Sequence, residues 1–175
     1  METKPVIRSA MPQEIPAIVD FVLAARNTMF SRVPASLHIP KVQAELAKFQ
    51  EDYLEDREGG FLIAKSNGQI IATVGYVAYD NRFPQLDFGS ERVVEVVKLY
   101  VDPKWRRAGL ATKIFAALQR EARQAGIRRL YLHTHPFLPG SVRFWERQGF
   151  QLECVDKDPI WQTTHMSKVL RRDTD

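Results

Sequence analysis

The chain has a single cysteine, Cys154, among 175 residues, which excludes an internal disulfide framework and suits a reducing compartment. It has no apolar run approaching the roughly 20 residues that a bilayer-spanning helix needs. Its start, "METKPVIRSAMPQEIP", lacks the apolar core of a secretory leader. Export and membrane insertion are therefore not expected, and a cytoplasmic setting is. Internal repeats, low-complexity tracts and Pro/Ser-rich linkers are also missing. The length accordingly reads as one domain, 1–175, with a frayed polar tail at 171–175. Glycine is sparse, 9 residues, and neither the P-loop pattern G-x-x-x-x-G-K-S/T nor the dinucleotide fingerprint G-x-G-x-x-G occurs. The histidines of the H-x-H pair, His133 and His135, have no third or fourth ligand at a recognisable spacing, so no metal site is expected.

What is present is an ordinary globular balance, 45% apolar and 26% charged. The formal net charge of +4 is unevenly placed: between Lys98 and Arg129 lie nine Lys or Arg against two acids, Asp102 and Glu121. Such a cluster attracts polyanions, whether nucleic acid, an anionic membrane or a phosphorylated cofactor, and charge alone does not choose among them.

Periodicity orders the elements. "PVIRSA" reads as a strand, and residues 11–30 as a helix with Ile15, Ile18, Val19, Val22 and Leu23 on one face. A second helix is expected from about Lys41 to Glu55, striped by Val42, Leu46, Phe49 and Tyr53. The segment 59–79 is a hairpin turning at Asn67-Gly68, the preferred dipeptide of a type I′ turn. "ERVVEVVKLYV" is a β-branched strand, followed by a helix from Leu110 to Gln124 with Leu110, Ile114, Leu118 and Ala122 on one side. "RRLYLHT" is a strand, Ser141 to Gln148 a short helix, and "FQLECVD" and "WQTTHMSKVL" two closing strands. This α+β order differs from the alternation of a doubly wound nucleotide-binding sheet.

The stretch "VDPKWRRAGLATK", 101–113, joins the strand to the long helix. A helix start presents unpaired N–H groups at a partly positive end, so it suits an anion. Gly109 and Ala111 keep the approach free of bulk, Arg106 and Arg107 add charge, and Thr112 can donate a hydrogen bond. The turn therefore suits a pyrophosphate.

The pattern R-x-x-G-x-A, Arg106 to Ala111, preceded by a strand and V-x-P, resembles the acyl-coenzyme A signature Q/R-x-x-G-x-G/A of the GNAT superfamily of N-acyltransferases. "SVRFWERQGF" resembles that superfamily's second signature, a short helix followed by Gly-Phe. The resemblance covers nearly the whole chain, and its specific motifs lie after about residue 60. It implies a mixed, mostly antiparallel sheet of about seven strands flanked by about four helices and splayed between the fourth and fifth strands. It also implies acetyl-CoA as acyl donor, its pyrophosphate held by main-chain N–H groups of Arg107, Ala108, Gly109, Leu110, Ala111 and Thr112. The pantetheine arm would lie along the strand edge at Leu99 and Val101, with Arg106 and Trp145 adding contacts. Two positions depart from the family. Trp145 stands where many relatives carry a Tyr that protonates the departing thiolate, and Leu138 where relatives often have Asn.

Direct transfer from a thioester to an amine needs a neutral nucleophile, oxyanion stabilisation and a proton for the thiolate. Glu95 is the candidate base. Alternation puts it on one strand face with Val97, Leu99 and Val101, and burial among valines is expected to raise its pKa. His133 is a second candidate, as a relay, with His135 sharing its face and His165 in the last strand. The resemblance points to the Val101 N–H as oxyanion donor. It points for the acceptor amine to the first helices and the loop after the third strand, hence Arg26, Asn27, Phe30, His38, Tyr79 and Arg82. The expected function is acetyl transfer to an amine of a small molecule, amino acid or peptide, without nucleic acid or membrane, with a homodimer left open. A non-catalytic acyl-CoA sensor or partner-binding module is the alternative, and a nucleic-acid binder using the 98–129 run ranks last.

Overall fold

The computed structural model describes residues 3–172. The elements are β1 (Val6–Ser9), α1 (Ile15–Met29), α2 (Ile39–Leu46), a π-helical turn (Gln50–Glu55), β2 (Gly60–Ser66) and β3 (Gln69–Ala78). They continue with β4 (Val93–Val101), α3 (Leu110–Gln124), β5 (Arg129–Thr134), α4 (Ser141–Arg147), β6 (Gln151–Val155) and β7 (Thr164–Val169). The strands form one sheet in the order β1-β2-β3-β4-β5-β7-β6. Every pairing is antiparallel except β4 with β5, which is parallel. The expected order of elements and the mixed, mostly antiparallel seven-stranded sheet are therefore observed. Of the expected frayed tail, residues 171 and 172 carry no regular structure and the remainder lies outside the described residues.

Each face of the sheet buries its own core. On one side α1, α2 and the π turn bring Ile18, Val22, Val42 and Phe49 onto Phe61, Ile63 and Tyr100. On the other, α3 lays the expected stripe Leu110, Ile114, Leu118 and Ala122 against Val94, Val96, Leu130 and Leu132. The hairpin turn is as its dipeptide predicts, with Asn67 and Gly68 both at positive φ, 50° and 76°.

The second expected helix is corrected. Its apolar stripe is real, with Val42, Leu46, Phe49 and Tyr53 all buried. The backbone nevertheless leaves the α-helix after Leu46 and resumes as the widened turn Gln50–Glu55, closed by Asp56 N–H to the Glu51 carbonyl at 3.0 Å. Ring packing accounts for the stripe across this break: Phe49 and Tyr53 both meet Phe61, at 4.7 and 5.1 Å between centroids.

A second correction concerns β4. Its pairing with β3 runs Val97↔Gly75 and then Tyr100↔Thr73, so Val74 faces two residues, Lys98 and Leu99. Lys98 takes φ +57°, the left-handed conformation of a β-bulge. The extra residue inverts the side-chain parity of the strand. Glu95, Val97 and Tyr100 therefore belong to the α1/α2 face, while Leu99 and Val101 pack with the α3 core. The single face expected for Glu95, Val97, Leu99 and Val101 does not exist.

Gly75, paired with Val97 beside the bulge, lies under aromatic rings. A Cβ there would stand 2.6 Å from Phe61 Cδ2 and 3.1 Å from Tyr53 Cε1. Gly75→Ala is expected to lower stability by about 1–3 kcal/mol through overpacking, read as a lower urea midpoint at unchanged slope.

Candidate functional site

The parallel ladder between β4 and β5 is short. It pairs Val93, Val94 and Glu95 with Arg129, Leu130 and Tyr131 and then stops, while β5 goes on pairing with β7 as far as Thr134. The two strands thus part in the middle of the sheet, which is the expected splay. A cleft of about 510 Å³ opens there, lined on one side by β4 from Glu95 to Tyr100 and on the other by Leu132, His133, Thr134 and His135.

At one end of this opening stands the turn 102–109. Asp102 caps a short 3-10 turn through Lys104 N–H, at 2.9 Å, and the chain then reverses through Arg107 at φ +65° and Gly109 at φ +76°. Glycine is suited to the left-handed position and leaves it bare, since a Cβ built there meets nothing within 4 Å. The first main-chain bond of α3 is Lys113 N–H to the Gly109 carbonyl, 3.1 Å, and no side chain caps the helix. The N–H groups of Leu110, Ala111 and Thr112 are thereby left to an external acceptor. Arg106, Arg107 and Ala108 are exposed around them, while the Leu110 side chain is core. The Thr112 hydroxyl accepts from Gln148 Nε2 at 3.4 Å and keeps its proton for donation. These are the attributes a phosphate ligand needs, so the turn fits a pyrophosphate-bearing donor.

Inside the cleft the ionisable groups are tightly coupled. Arg82 donates both Nη atoms to Glu95, each at 2.7 Å, and Nη1 also to Asp80 at 3.0 Å. His133 Nδ1 lies 3.0 Å from the same carboxylate, though out of line for a straight hydrogen bond. Glu95 is 3% exposed. Burial alone would push its carboxyl up, but the hydrogen-bonding groups of His133 and Arg82 outweigh it and hold the pKa down at about 2. The raised value expected from the sequence is thus overturned, because Arg82 arrives from a loop the strand pattern does not show. His135 is driven the other way: burial pushes its pKa down to about 4. Its Nδ1 faces the Trp161 carbonyl at 3.0 Å, which places the proton on Nδ1 and leaves Nε2 as an acceptor.

The acceptor end is aromatic. Phe30 is 5.4 to 6.1 Å from the rings of His38, His135, Phe137 and Trp161, and the Arg26 guanidinium sits 3.7 Å over its face. Of the residues expected here, Arg26, Phe30 and Arg82 line the cleft. Asn27 is exposed, His38 is buried behind Phe30 with both ring nitrogens unpartnered, and Tyr79 lies under the following loop against Tyr131 and Phe88. His165 is also outside the lining, fully buried between Tyr131 and Asp156.

On the donor side Leu99, Leu138 and Trp145 line the opening, and Val101 does not. The Trp145 ring packs edge-on against Phe115 and Phe150, at 5.2 and 5.3 Å, as part of the α3 core. Sequence reasoning missed Lys98, whose Nζ enters the cleft and pairs with Glu45 at 2.9 Å. The same pairing removes Lys98 from the supposed basic stripe, and Arg129 is likewise taken, by Glu91 at 3.0 Å. The two ends of the basic run are thus held in ion pairs.

Comparison with known proteins bears on this geometry. The chain is 31% identical over 111 residues to N-acetyltransferase 8 of Rattus norvegicus, covering 63% of this chain and 47% of that protein. It is 25% identical over 159 residues to an amino-acid acetyltransferase of Mannheimia succiniciproducens, covering 91% of this chain and 30% of that protein. It therefore spans less than half the length of these relatives. Among solved structures, a GNAT-family acetyltransferase from Staphylococcus aureus Mu50 superposes with a TM-score of 0.74 at 18% identity, covering 96% of this chain and all of that one. The PaiA N-acetyltransferase of Thermoplasma acidophilum, solved in complex with coenzyme A, gives 0.69 at 16% identity, covering 95% and 99%. Both likenesses establish the fold. The profile of the Acetyltransferase (GNAT) family matches residues 26–150, most of the chain, and the chain accordingly belongs to that family.

Proposed function

We propose that the protein transfers an acetyl group from acetyl-CoA directly to an amine of a small molecule, amino acid or peptide. The observation that carries this reading is the uncapped start of α3, bare at Gly109, opening beside the unpaired stretch of β4. The main-chain N–H groups from Arg107 to Thr112, with Arg106, would hold the pyrophosphate, and Leu99 and Val101 the pantetheine arm. When bound, the donor supplies a thioester carbonyl for attack by the amine. The relative from Mannheimia succiniciproducens is named an amino-acid acetyltransferase, which supports an amino acid among the acceptors. A cytoplasmic setting, where a lone thiol stays reduced, belongs to the same reading.

The proton chemistry falls to His133 rather than Glu95. A carboxylate held at about pKa 2 between Arg82 and His133 is a poor base at neutral pH. Its charge, 3.0 Å from Nδ1, favours a proton on that nitrogen once the ring turns into line, which leaves Nε2 to accept a proton from the incoming ammonium. The neutral Nε2 of His135 supplies a second acceptor for an amine N–H. The departing thiolate needs a proton that the Trp145 indole cannot supply. The hydroxyl one helical turn before it, Ser141, lines the cleft and is hydrogen-bonded to Thr134.

Donor binding is tested by thermal unfolding with acetyl-CoA, coenzyme A, ATP or NAD. Acetyl-CoA at about 100 times its Kd should add roughly 2.7 kcal/mol of stability, and the absence of any shift would sink the cofactor assignment. An acid in the first turn of a helix favours the helix but repels a phosphate. Thr112→Glu should therefore raise the Kd for coenzyme A at least ~10-fold without lowering the unfolding midpoint. For the chemical step, His133→Ala should lower kcat/KM about 10²–10⁴-fold with donor affinity intact; retention of turnover would return the role of base to Glu95. Glu95 also has a signature in stability. Its folded pKa is below the ordinary 4.5, so its contribution is present above that value and is lost as pH falls toward about 2. Glu95→Gln should flatten that acid limb in urea midpoints measured against pH.

A further inference from the structure

Outside the cleft, where β6 and β7 meet the loop 80–92, three side chains converge that the transfer chemistry does not use. The ligand atoms of Cys154, Asp156 and His165 all lie within 4.8 Å of one another, the one such His/Cys/Asp/Glu cluster among the described residues. Cross-strand register brings them together. Cys154 pairs with His165, and Asp156 follows the end of β6, its N–H bonded to the Thr163 carbonyl at 2.8 Å. In linear sequence the three have no metal-binding spacing, and the H-x-H pair that does attract notice, His133 and His135, is committed elsewhere.

A rotation of the Cys154 thiol within the 4.8 Å spanned by the three ligand atoms gives the geometry of a small tetrahedral cation. With metal–sulfur bonds of about 2.3 Å and metal–nitrogen or metal–oxygen bonds of about 2.0–2.1 Å, neighbouring ligand atoms stand roughly 3.3–3.6 Å apart. Asp156 Oδ2 is already 3.1 Å from His165 Nε2. The outer shell is also in place: the Tyr131 hydroxyl holds His165 Nδ1 at 2.6 Å, which fixes the ring and leaves Nε2 as the ligating nitrogen. Gln85 reaches in from the loop, its Nε2 2.9 Å from Asp156 Oδ1 and 3.5 Å from His165 Nε2. A half-turn of that amide presents Oε1 as a fourth ligand. Cys154 and Asp156 are partly exposed, so an ion can enter from solvent.

A Cys-His-Asp nucleophile does not explain the cluster. In such a triad the carboxylate holds one ring nitrogen and the thiol uses the other; here the nitrogen opposite Asp156 is held by Tyr131, so Asp156 and Cys154 would share the Nε2 side, an arrangement that suits a common cation rather than a relay. Thiolate, imidazole and carboxylate in a tetrahedron select zinc-class ions over magnesium or calcium, which prefer six or more oxygens.

We propose that Cys154, Asp156 and His165 bind a zinc-class divalent cation, with Gln85 as the fourth ligand. The Cys154 S–H proton passes to solvent as the sulfur–metal bond forms, and the His165 proton moves from Nε2 to Nδ1, where the Tyr131 oxygen accepts its hydrogen bond. The ion ties the loop 80–92 to the β6–β7 edge, three residues from the Arg82 that grips Glu95, and so braces the cleft from behind.

The test is titration of the reduced, metal-free full chain with Co²⁺ alone. Cys154 is the one cysteine of the chain, so a thiolate-to-cobalt charge-transfer band reports on it and nothing else. The expected result is such a band, with visible bands of tetrahedral intensity, saturating at one equivalent and bleached by Zn²⁺. Cys154→Ser should abolish the charge-transfer band. Asp156→Asn, at a partly exposed position that should fold normally, should weaken cobalt binding at least ~10-fold, and His165→Gln should do the same. No band at stoichiometric cobalt would overturn the proposal. So would a band of undiminished affinity in both Asp156→Asn and His165→Gln, since that would mean a lone thiol binding the metal.

Discussion

The bulge at Lys98 is the constraint on which the rest of the structure turns. A non-glycine residue at φ +57° costs on the order of 1 kcal/mol, and the surroundings hold it there. The Lys98 side chain is buried with Nζ on Glu45, its carbonyl accepts from Thr73 Oγ1 at 2.8 Å, and Gly75 lets the rings of Phe61 and Tyr53 close over β3. Because side chains in a strand alternate, one inserted residue exchanges the faces of everything beyond it. One strand can then present Glu95 and Tyr100 to the α1/α2 layer and Leu99 and Val101 to the α3 layer. The cleft lies where those assignments change.

Its electrostatics follow from that placement. Glu95 is driven into a nearly dry position, where an isolated carboxyl would take up a proton. Arg82 and His133 converge on it and keep it ionised. The carboxylate consequently works as a fixed anion that orders its neighbours. The loop 80–92 is held by this ion pair at one point and by Phe83, Leu86 and Phe88 packed on Tyr79, Val93 and Tyr131 at others. The same loop brings Gln85 to Asp156 and His165, so the wall of the cleft and the β6–β7 edge share one support.

Residues whose meaning is local could be read directly. The turn 101–113 was legible because a glycine taking the left-handed position ahead of a helix start is a local property of the chain, whatever the remainder of the fold does. The hairpin at Asn67-Gly68 and the α3 stripe were legible for similar reasons, since turn conformation and helical period are properties of neighbouring residues. The second helix was half legible: its apolar stripe is buried as expected, but a stripe of that spacing does not reveal where the backbone widens to seat two rings on Phe61.

By itself, then, the sequence determined the order of the elements, the sheet class, the splay implied by the family signature and the glycine turn that opens the long helix. The element order and the turn rest on short-range sterics and hydrophobic period, the sheet class and the splay on the family resemblance. Tertiary structure alone decided that Glu95 is a low-pKa partner of Arg82 and His133, that Trp145 is largely core, and that Cys154, Asp156 and His165 meet. Each of those depends on strand register or on a loop folding across the sheet, and register is set by the summed packing of both faces. A single residue at Lys98 was enough to change it.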